Sequence, residues 1–446
     1  MTSELALLGG RKAVRSDVKG MFDWPVITKE DEDAVLEVLR TGRMSGIDVT
    51  QKFEKEFAEW LGVKHALAHN NGTAAIHSAL FALGVGRGDE IMCPSMTYWA
   101  SALPVYSLGG TVVFADIDPT TLCLDPKDLE RRITERTKAI VVVHYSGYPA
   151  DMDSIMSVAK KHRLKVLEDC SHAHGSRYRR KMVGTFGDAA AFSLMSAKSL
   201  ATGEGGIMTT NDRAVYERAV IFGHYERHNS ELSIEDLKVG AGLPWGGYKY
   251  RMHQLTSAVA RVQLRHYPER MNEIDAAMNH FWDLLDGTPG LRAHRPPRDS
   301  GLTMGGWYFP LGLYFIEGLG GLSIGRFCEA VRAEGVSVCT PGCNMPLHTH
   351  PVFQTLDVYH DGKPTRIANL PTGVDIRERK GTLPVSESIN QKVFKVPWFK
   401  HNTGAAIEEY ADAFRKVAEH YEELLPGDKK EEASVGSWSA SNVARI

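Results

Sequence analysis

The sequence is poor in cysteine: Cys93, Cys123, Cys170, Cys328, Cys339 and Cys343 are the only six in 446 residues. Such sparse thiols exclude a disulfide-stapled secreted scaffold and suit a reduced, cytoplasmic protein. A surplus of one charge is lacking too, since 52 Lys+Arg against 55 Asp+Glu leave a net −3. No broad basic field is available to hold nucleic acid or an acidic membrane. No apolar run approaches the ~18 residues that a membrane span needs. Met1 to Ala13 has no secretory apolar core, and no internal repeat recurs along the chain. What is there is an ordinary globular composition, 43% hydrophobic and 24% charged. The length suits two or three domains.

The first half alternates helical and strand patterns, which predicts an α/β fold with a mostly parallel central sheet. Apolar residues at helical spacing predict helices over 53–61, 73–83 and 151–162. Strand-length apolar runs recur at 90–93, 111–115, 139–143, 165–167, 189–192 and 206–209. Such runs are apolar on both faces, as buried parallel strands are. A long amphipathic pattern over 252–285 leads towards a smaller unit, and a last helix is expected over 405–425. The expected division is an N-terminal segment (1–30), a large domain (31–255), a smaller α+β domain with its linking helix (256–425) and a disordered tail (426–446). The polar stretch 354–380, broken by Gly362, Pro364, Pro371 and Gly373, reads as a long surface loop that shapes a substrate mouth.

Three motifs fall at strand ends or loop-to-helix junctions, where open α/β sheets bind ligands. Asn70-Asn71-Gly72-Thr73-Ala74-Ala75 opens a helix, and a helix N-terminus with a glycine and a hydroxyl residue suits a phosphate. Its plainer reading is an N-cap. Glu168-Asp169 ends a strand, where a buried carboxylate needs a cationic partner such as a protonated pyridine nitrogen. Its plainer reading is a turn cap. Lys198 lies between two strand runs among small residues and ahead of Gly203-Glu204-Gly205-Gly206. It is either a Schiff-base lysine or a surface lysine on a hairpin. A phosphate cup, an acid for a ring nitrogen and an amine for an aldehyde are together the partners that pyridoxal 5'-phosphate (PLP) requires. Cys339 and Cys343 with His348 and His350 fit no standard zinc spacing, so no metal site is expected.

The ordered set is more specific than its parts. Phe53-Glu54-Lys55-Glu56-Phe57-Ala58, Leu61-Gly62-Val63, Asn71-Gly72-Thr73-Ala74-Ala75 and Gly86-Arg87-Gly88-Asp89-Glu90-Ile91 come first. Glu168-Asp169, Ala173-His174-Gly175, Gly203-Glu204-Gly205-Gly206 and Tyr248-Lys249-Tyr250-Arg251-Met252 follow. On these residues, over about 5–425, the chain resembles the DegT/DnrJ/StrS-type sugar aminotransferases, a branch of the fold-type I PLP-dependent transferases. The resemblance implies Lys198 as the Schiff-base lysine and general base, and Asp169 as the carboxylate at the pyridine nitrogen. It implies His172 beside the ring hydroxyl, Tyr98 stacked on the ring, and Thr73, Ala74 and Ser193 at the phosphate, Ala74 through its backbone N–H.

Three positions depart from the family pattern: Asn71 stands where serine is frequent, Ser199 where asparagine follows the lysine, and Lys249 where an asparagine reaches the neighbouring subunit's phosphate. A lysine can still serve a phosphate as a point charge. The implied partners are a glutamate or glutamine donor and a nucleotide-linked keto sugar or keto cyclitol (inosose) acceptor. The implied assembly is a homodimer with shared active sites. Leu5-Ala6-Leu7-Leu8-Gly9-Gly10 looks like the opening of the inosose branch, or is simply an apolar arm that packs on a partner subunit. The rival readings are a PLP-dependent sugar dehydratase, which carries His in place of Lys198, and a non-catalytic sugar-sensing protein of the same fold.

Overall fold

A computed structural model of the chain describes residues 3–16, 20–224 and 228–430. The first-half strands are β1 (His65–His69), β2 (Glu90–Pro94), β3 (Thr111–Ala115), β4 (Thr137–Val143) and β5 (Lys165–Asp169). A short hairpin, β6 (Arg177–Tyr178) with β7 (Lys181–Met182), separates these from β8 (Ala189–Ser193) and β9 (Gly206–Thr210). One seven-stranded sheet runs in the order β1-β9-β8-β5-β4-β2-β3. The pairs β2–β3, β2–β4, β4–β5 and β5–β8 are parallel, whereas β9 runs antiparallel to both of its neighbours. Every residue of β2 and β3 is buried, which explains their unbroken apolar runs. All six strand runs seen in the sequence are strands here. The unforeseen β1 (His-Ala-Leu-Ala-His) is short and begins and ends in histidine, so its apolar signal is weak.

The helices that position the site are α1 (Lys29–Thr41), α2 (Asp48–Leu61) and α3 (Gly72–Ala82). The second starts earlier than its apolar spacing predicts. Gln254 Oε1 accepts the N–H groups of Val49 (2.8 Å) and Thr50 (3.4 Å), which satisfies first-turn donors that have no intrahelical acceptor. Gln254 opens the long helix Gln254–Leu284, whose inward face carries Leu264, Tyr267, Ile274, Met278 and Phe281. A second, antiparallel sheet follows, formed by β10 (Leu291–Ala293), β11 (Leu311–Tyr314), β12 (Thr340–Pro341) and β13 (Val393–Lys395), in the order β10-β11-β13-β12. Helices Ile324–Ala333 and Ala405–Glu419 cover it, with Phe394 packed 5.8 Å from Phe327 and 5.9 Å from Phe414.

Two expectations are corrected. Stretch 354–380 is not only a surface loop, because it closes the open edge of the large sheet at β3. Phe114 N–H donates to Glu378 Oε1 (2.8 Å), and Arg366 Nε donates to Val112 O (2.9 Å). The Thr111 hydroxyl donates to Arg366 O. Arg366 and Glu378 form a buried ion pair. Charged side chains thus occupy the backbone groups an edge strand would offer to another chain. The tail begins later than Pro426: Tyr421–Gly427 is a 3-10 helix, and Asp428 accepts from Ser323 N–H (2.7 Å) and Ser323 Oγ (2.6 Å). Residues 431–446, expected to be disordered, lie outside the described residues. The N-terminal arm packs on its own chain, with Leu5 buried and Glu334 accepting from Ala6 N–H (2.7 Å) and Ala13 N–H (3.0 Å).

Burial has a consequence for acid stability. It pushes His69 and His174 down to about 3, and His77 and His294 down to about 4. Each ring holds its proton more weakly folded than unfolded. As pH falls below 6.5, the unfolded chain takes up protons that the native chain refuses, so stability drops progressively towards pH 3–4. Urea midpoints measured between pH 7.5 and 5 should fall with pH; a midpoint that holds or rises down to pH 5 contradicts this account.

Candidate active site

Lys198 sits in the connection between β8 and β9, narrowed by bonds from Leu194 N–H to Gly205 O and Ser196 N–H to Gly203 O, both 2.8 Å. It is 7% exposed, so it is not a surface lysine. Trp24 Nε1–H donates to the Lys198 carbonyl (2.8 Å). The Lys198 amine lies 3.8 Å from the centre of the Tyr308 ring, within cation–π range.

Strand alternation splits the acidic pair at the end of β5. Glu168 accepts backbone N–H groups from Gly184, Phe186 and Gly187, each at 2.7 Å, and shares a 3.1 Å hydrogen bond with the buried His144 ring. It is a structural clamp. Asp169, also buried, accepts from Ser101 Oγ (2.7 Å) and Ser171 N–H (3.1 Å). A carboxylate has about four acceptor positions, so capacity remains for a cationic ligand atom.

His172 is buried, with its ring 4.6 Å from Tyr308 and with Nδ1 accepting from Ser146 N–H (3.3 Å). Burial holds its proton affinity far below the ordinary range, and the positive charge of Lys198 lowers it further. His172 is therefore a neutral ring. Tyr98 is half-buried beside Trp99, 4.9 Å between ring centres, and its carbonyl accepts from Ser101 N–H (3.1 Å), the residue bonded to Asp169.

The glycine-rich opening of α3 lies against the end of β8. A Cβ on Gly72 would stand 2.6 Å from Ser193 Cβ, and one on Gly206 would stand 2.4 Å from the Asn71 carbonyl. Only hydrogen fits at both places, so the backbones close into a cup. Asn71 caps the helix, with Oδ1 accepting from Ala74 N–H (2.8 Å). The N–H assigned to phosphate at Ala74 is thus engaged by Asn71. Gly72 and Thr73 lie in the first turn, where N–H groups have no intrahelical acceptor. Ser193 N–H donates to Ser171 Oγ (3.1 Å), which ties the cup to the Asp169 turn. Lys249 is exposed, on a segment joined to the cup by Asn70 N–H donating to Tyr250 O (2.7 Å).

Sequence reasoning missed Tyr308, Trp24 and Ser101. None carries a local signal, because each meets its partner across a long stretch of chain. Among the described residues, His144, Glu168 and Cys170 form the one cluster with metal-ligand reach. It is engaged in the clamp around Glu168, where Ala150 N–H also donates to His144 Nδ1 (3.1 Å). His348 shares hydrogen bonds with Ser95 Oγ (2.7 Å) and Glu387 (3.3 Å).

The amine follows β8, the carboxylate ends β5 and the glycine-walled cup follows β1. Residues 25–396 match the DegT/DnrJ/EryC1/StrS aminotransferase family. GDP-perosamine synthase of Caulobacter vibrioides is 42% identical over 249 residues, which is 55% of this chain and 65% of that protein. L-glutamine:2-deoxy-scyllo-inosose aminotransferase of Micromonospora echinospora is 32% identical over 418 residues, 90% of this chain and 95% of that protein. The X-ray structure of an aminotransferase from Psychrobacter cryohalolentis superposes with a TM-score of 0.75 at 28% identity, covering 90% of this chain and 99% of that one. The chain belongs to the DegT/DnrJ/EryC1/StrS aminotransferase family and is an aminotransferase of the fold-type I architecture.

Proposed function

We propose that the chain uses PLP to move an amino group from glutamate or glutamine to a keto sugar carried on a nucleotide or to a keto cyclitol. The observation that carries this reading is the buried Lys198 on the connection after β8, with the buried Asp169 ending β5 and the glycine-walled cup following β1. The donor set fits the cofactor. Thr73 and Ser193 would hold its phosphate, Ala74 would border it with its N–H already given to Asn71 Oδ1, and Lys249 would serve the phosphate of a second subunit. Asp169 would hold a proton on the ring nitrogen, His172 would stand at the ring hydroxyl and Tyr98 at the ring face. The bound cofactor supplies an electron sink for a substrate carbanion.

The chain's own groups do the rest. Lys198 Nζ moves the proton as general base. Ser101 and Ser171 donate to Asp169 and fix the orientation of its carboxylate. His172 and His174 stay neutral, because burial lowers their proton affinity. In the same reading residues 31–255 carry the cofactor and 256–425 close over it. The working form is a cytoplasmic homodimer, in keeping with six free, buried cysteines and with exposed apolar residues Val239, Leu243 and Trp245 beside Lys249.

Glutamate or glutamine added to the yellow holoenzyme should move its absorption from the visible to the near ultraviolet. A keto cyclitol or nucleotide-linked keto sugar from a panel should then restore it. A protein that takes up PLP but responds to neither donor defeats the proposal. Gly72→Ala probes the cup: its added Cβ would crowd Ser193. Overpacking of this kind costs about 1–3 kcal/mol, so half-saturation of the apoprotein should need roughly tenfold more PLP. Unchanged uptake would separate the cup from the phosphate.

A further inference from the structure

Four residues far apart in the sequence close a circuit around the lysine. Trp24 Nε1–H donates to Lys198 O (2.8 Å), and the Lys198 amine faces the Tyr308 ring at 3.8 Å. Tyr308 meets Trp398 edge-on, at 5.8 Å and 89°, and Trp398 lies 6.1 Å from Trp24. The only side-chain donor of Trp398 is also engaged, since Nε1–H bonds Gly306 O (3.1 Å). With both indole N–H groups tied to backbone carbonyls, Trp24 and Trp398 have only ring faces and carbon edges to offer a ligand. All three rings are half-buried, so each retains accessible surface.

The wall is held rigidly. A Cβ on Gly306 would meet Ser199 Oγ at 2.5 Å and the Tyr267 hydroxyl at 2.6 Å, so the Tyr308 loop is seated directly on the lysine loop. Trp307 is buried, and its Nε1–H donates to Asp275 (2.7 Å). Lys400 lies 4.8 Å over Trp398 and donates to Phe22 O (2.9 Å). The rings are thereby fixed before any ligand arrives, which lowers the ordering cost of binding.

We infer that Trp24, Trp398 and Tyr308 form the specificity wall for the acceptor, receiving the C–H face of its six-membered ring. This rests on the aminotransfer reading above and adds the subsite to it. Saturated oxygenated rings carry hydroxyls at the rim and C–H bonds across the face. The C–H face is weakly positive and apolar, and an aromatic face is negative, so the two are complementary. An amino-acid donor has no such ring and should not depend on the wall.

The test uses the holoenzyme and the acceptor that turns over fastest in the panel. Trp398→Leu should raise the acceptor KM at least tenfold while changing kcat less than threefold, because the lost contact acts in ground and transition states alike. The donor half-reaction with glutamate or glutamine should stay within twofold of wild type. Trp398→Phe retains a ring face without the N–H and should recover most of the KM. An acceptor KM unchanged in Trp398→Leu, or equally raised in Trp398→Phe, overturns the wall. A wild-type protein with no donor half-reaction overturns the functional reading instead. In that event scyllo-inositol still tests the wall: it should perturb the tryptophan fluorescence of wild type more than that of Trp398→Leu, and acyclic sorbitol should do so in neither. An equal response to both polyols overturns it.

Discussion

Lys198→Ala is expected to cut aminotransfer by about 10³-fold or more, within the range of general acid–base contributions and with the covalent amine lost as well. The backbone of its loop should survive. The bonds that shape it, Leu194 to Gly205, Ser196 to Gly203 and Trp24 to Lys198 O, involve no atom of the lysine side chain beyond its backbone. The variant should therefore melt close to wild type. Lys198→Arg should not restore activity, because a guanidinium stays protonated and cannot act as the base. Methylamine added to Lys198→Ala should return part of the single-turnover rate with glutamate, since it supplies a free amine to the vacated space. A variant that keeps more than a tenth of the wild-type rate would remove Lys198 from the chemistry.

Arg366→Ala should produce the largest loss of stability, about 3–5 kcal/mol, because it leaves Glu378 buried without its cation. The loss spreads to the sheet. Glu378 accepts from Phe114 N–H and Arg366 donates to Val112 O, so the pair holds the cover over the β3 edge. With the cover loosened, β3 would present unpaired backbone groups to other chains, and aggregation on warming should follow. Urea denaturation and light scattering measure the two effects. An unchanged urea midpoint would show that the cover is dispensable. Glu378→Gln should be milder than Arg366→Ala, since an amide can still accept from Phe114 N–H.

Much of the large sheet was legible because fully buried parallel strands must be apolar on both faces, and the runs at 111–115 and 189–192 carry that signature. The lysine, the acid and the cup were legible for a related reason. Each sits at a strand end or helix start, where local chemistry constrains the residue type. The edge cover was not legible. Arg366 and Glu378 look like solvated charges in a polar stretch, and only their placement over β3 makes them buried partners. Glu168 and Asp169 looked like one acidic pair until strand alternation sent them to opposite faces, one to a clamp and one to the site.

The sequence by itself determined the fold class, the order cup–acid–amine along the chain and the kind of cofactor chemistry those groups suit. Such features depend on near neighbours, whose separation is fixed by the backbone. Tertiary structure alone decided what surrounds the amine: Trp24 from the N-terminal segment, Tyr308 from the loop before β11 and Trp398 from beyond β13. No local pattern announces such a meeting, because it is set by the packing of one layer on another and not by the spacing of residues along either.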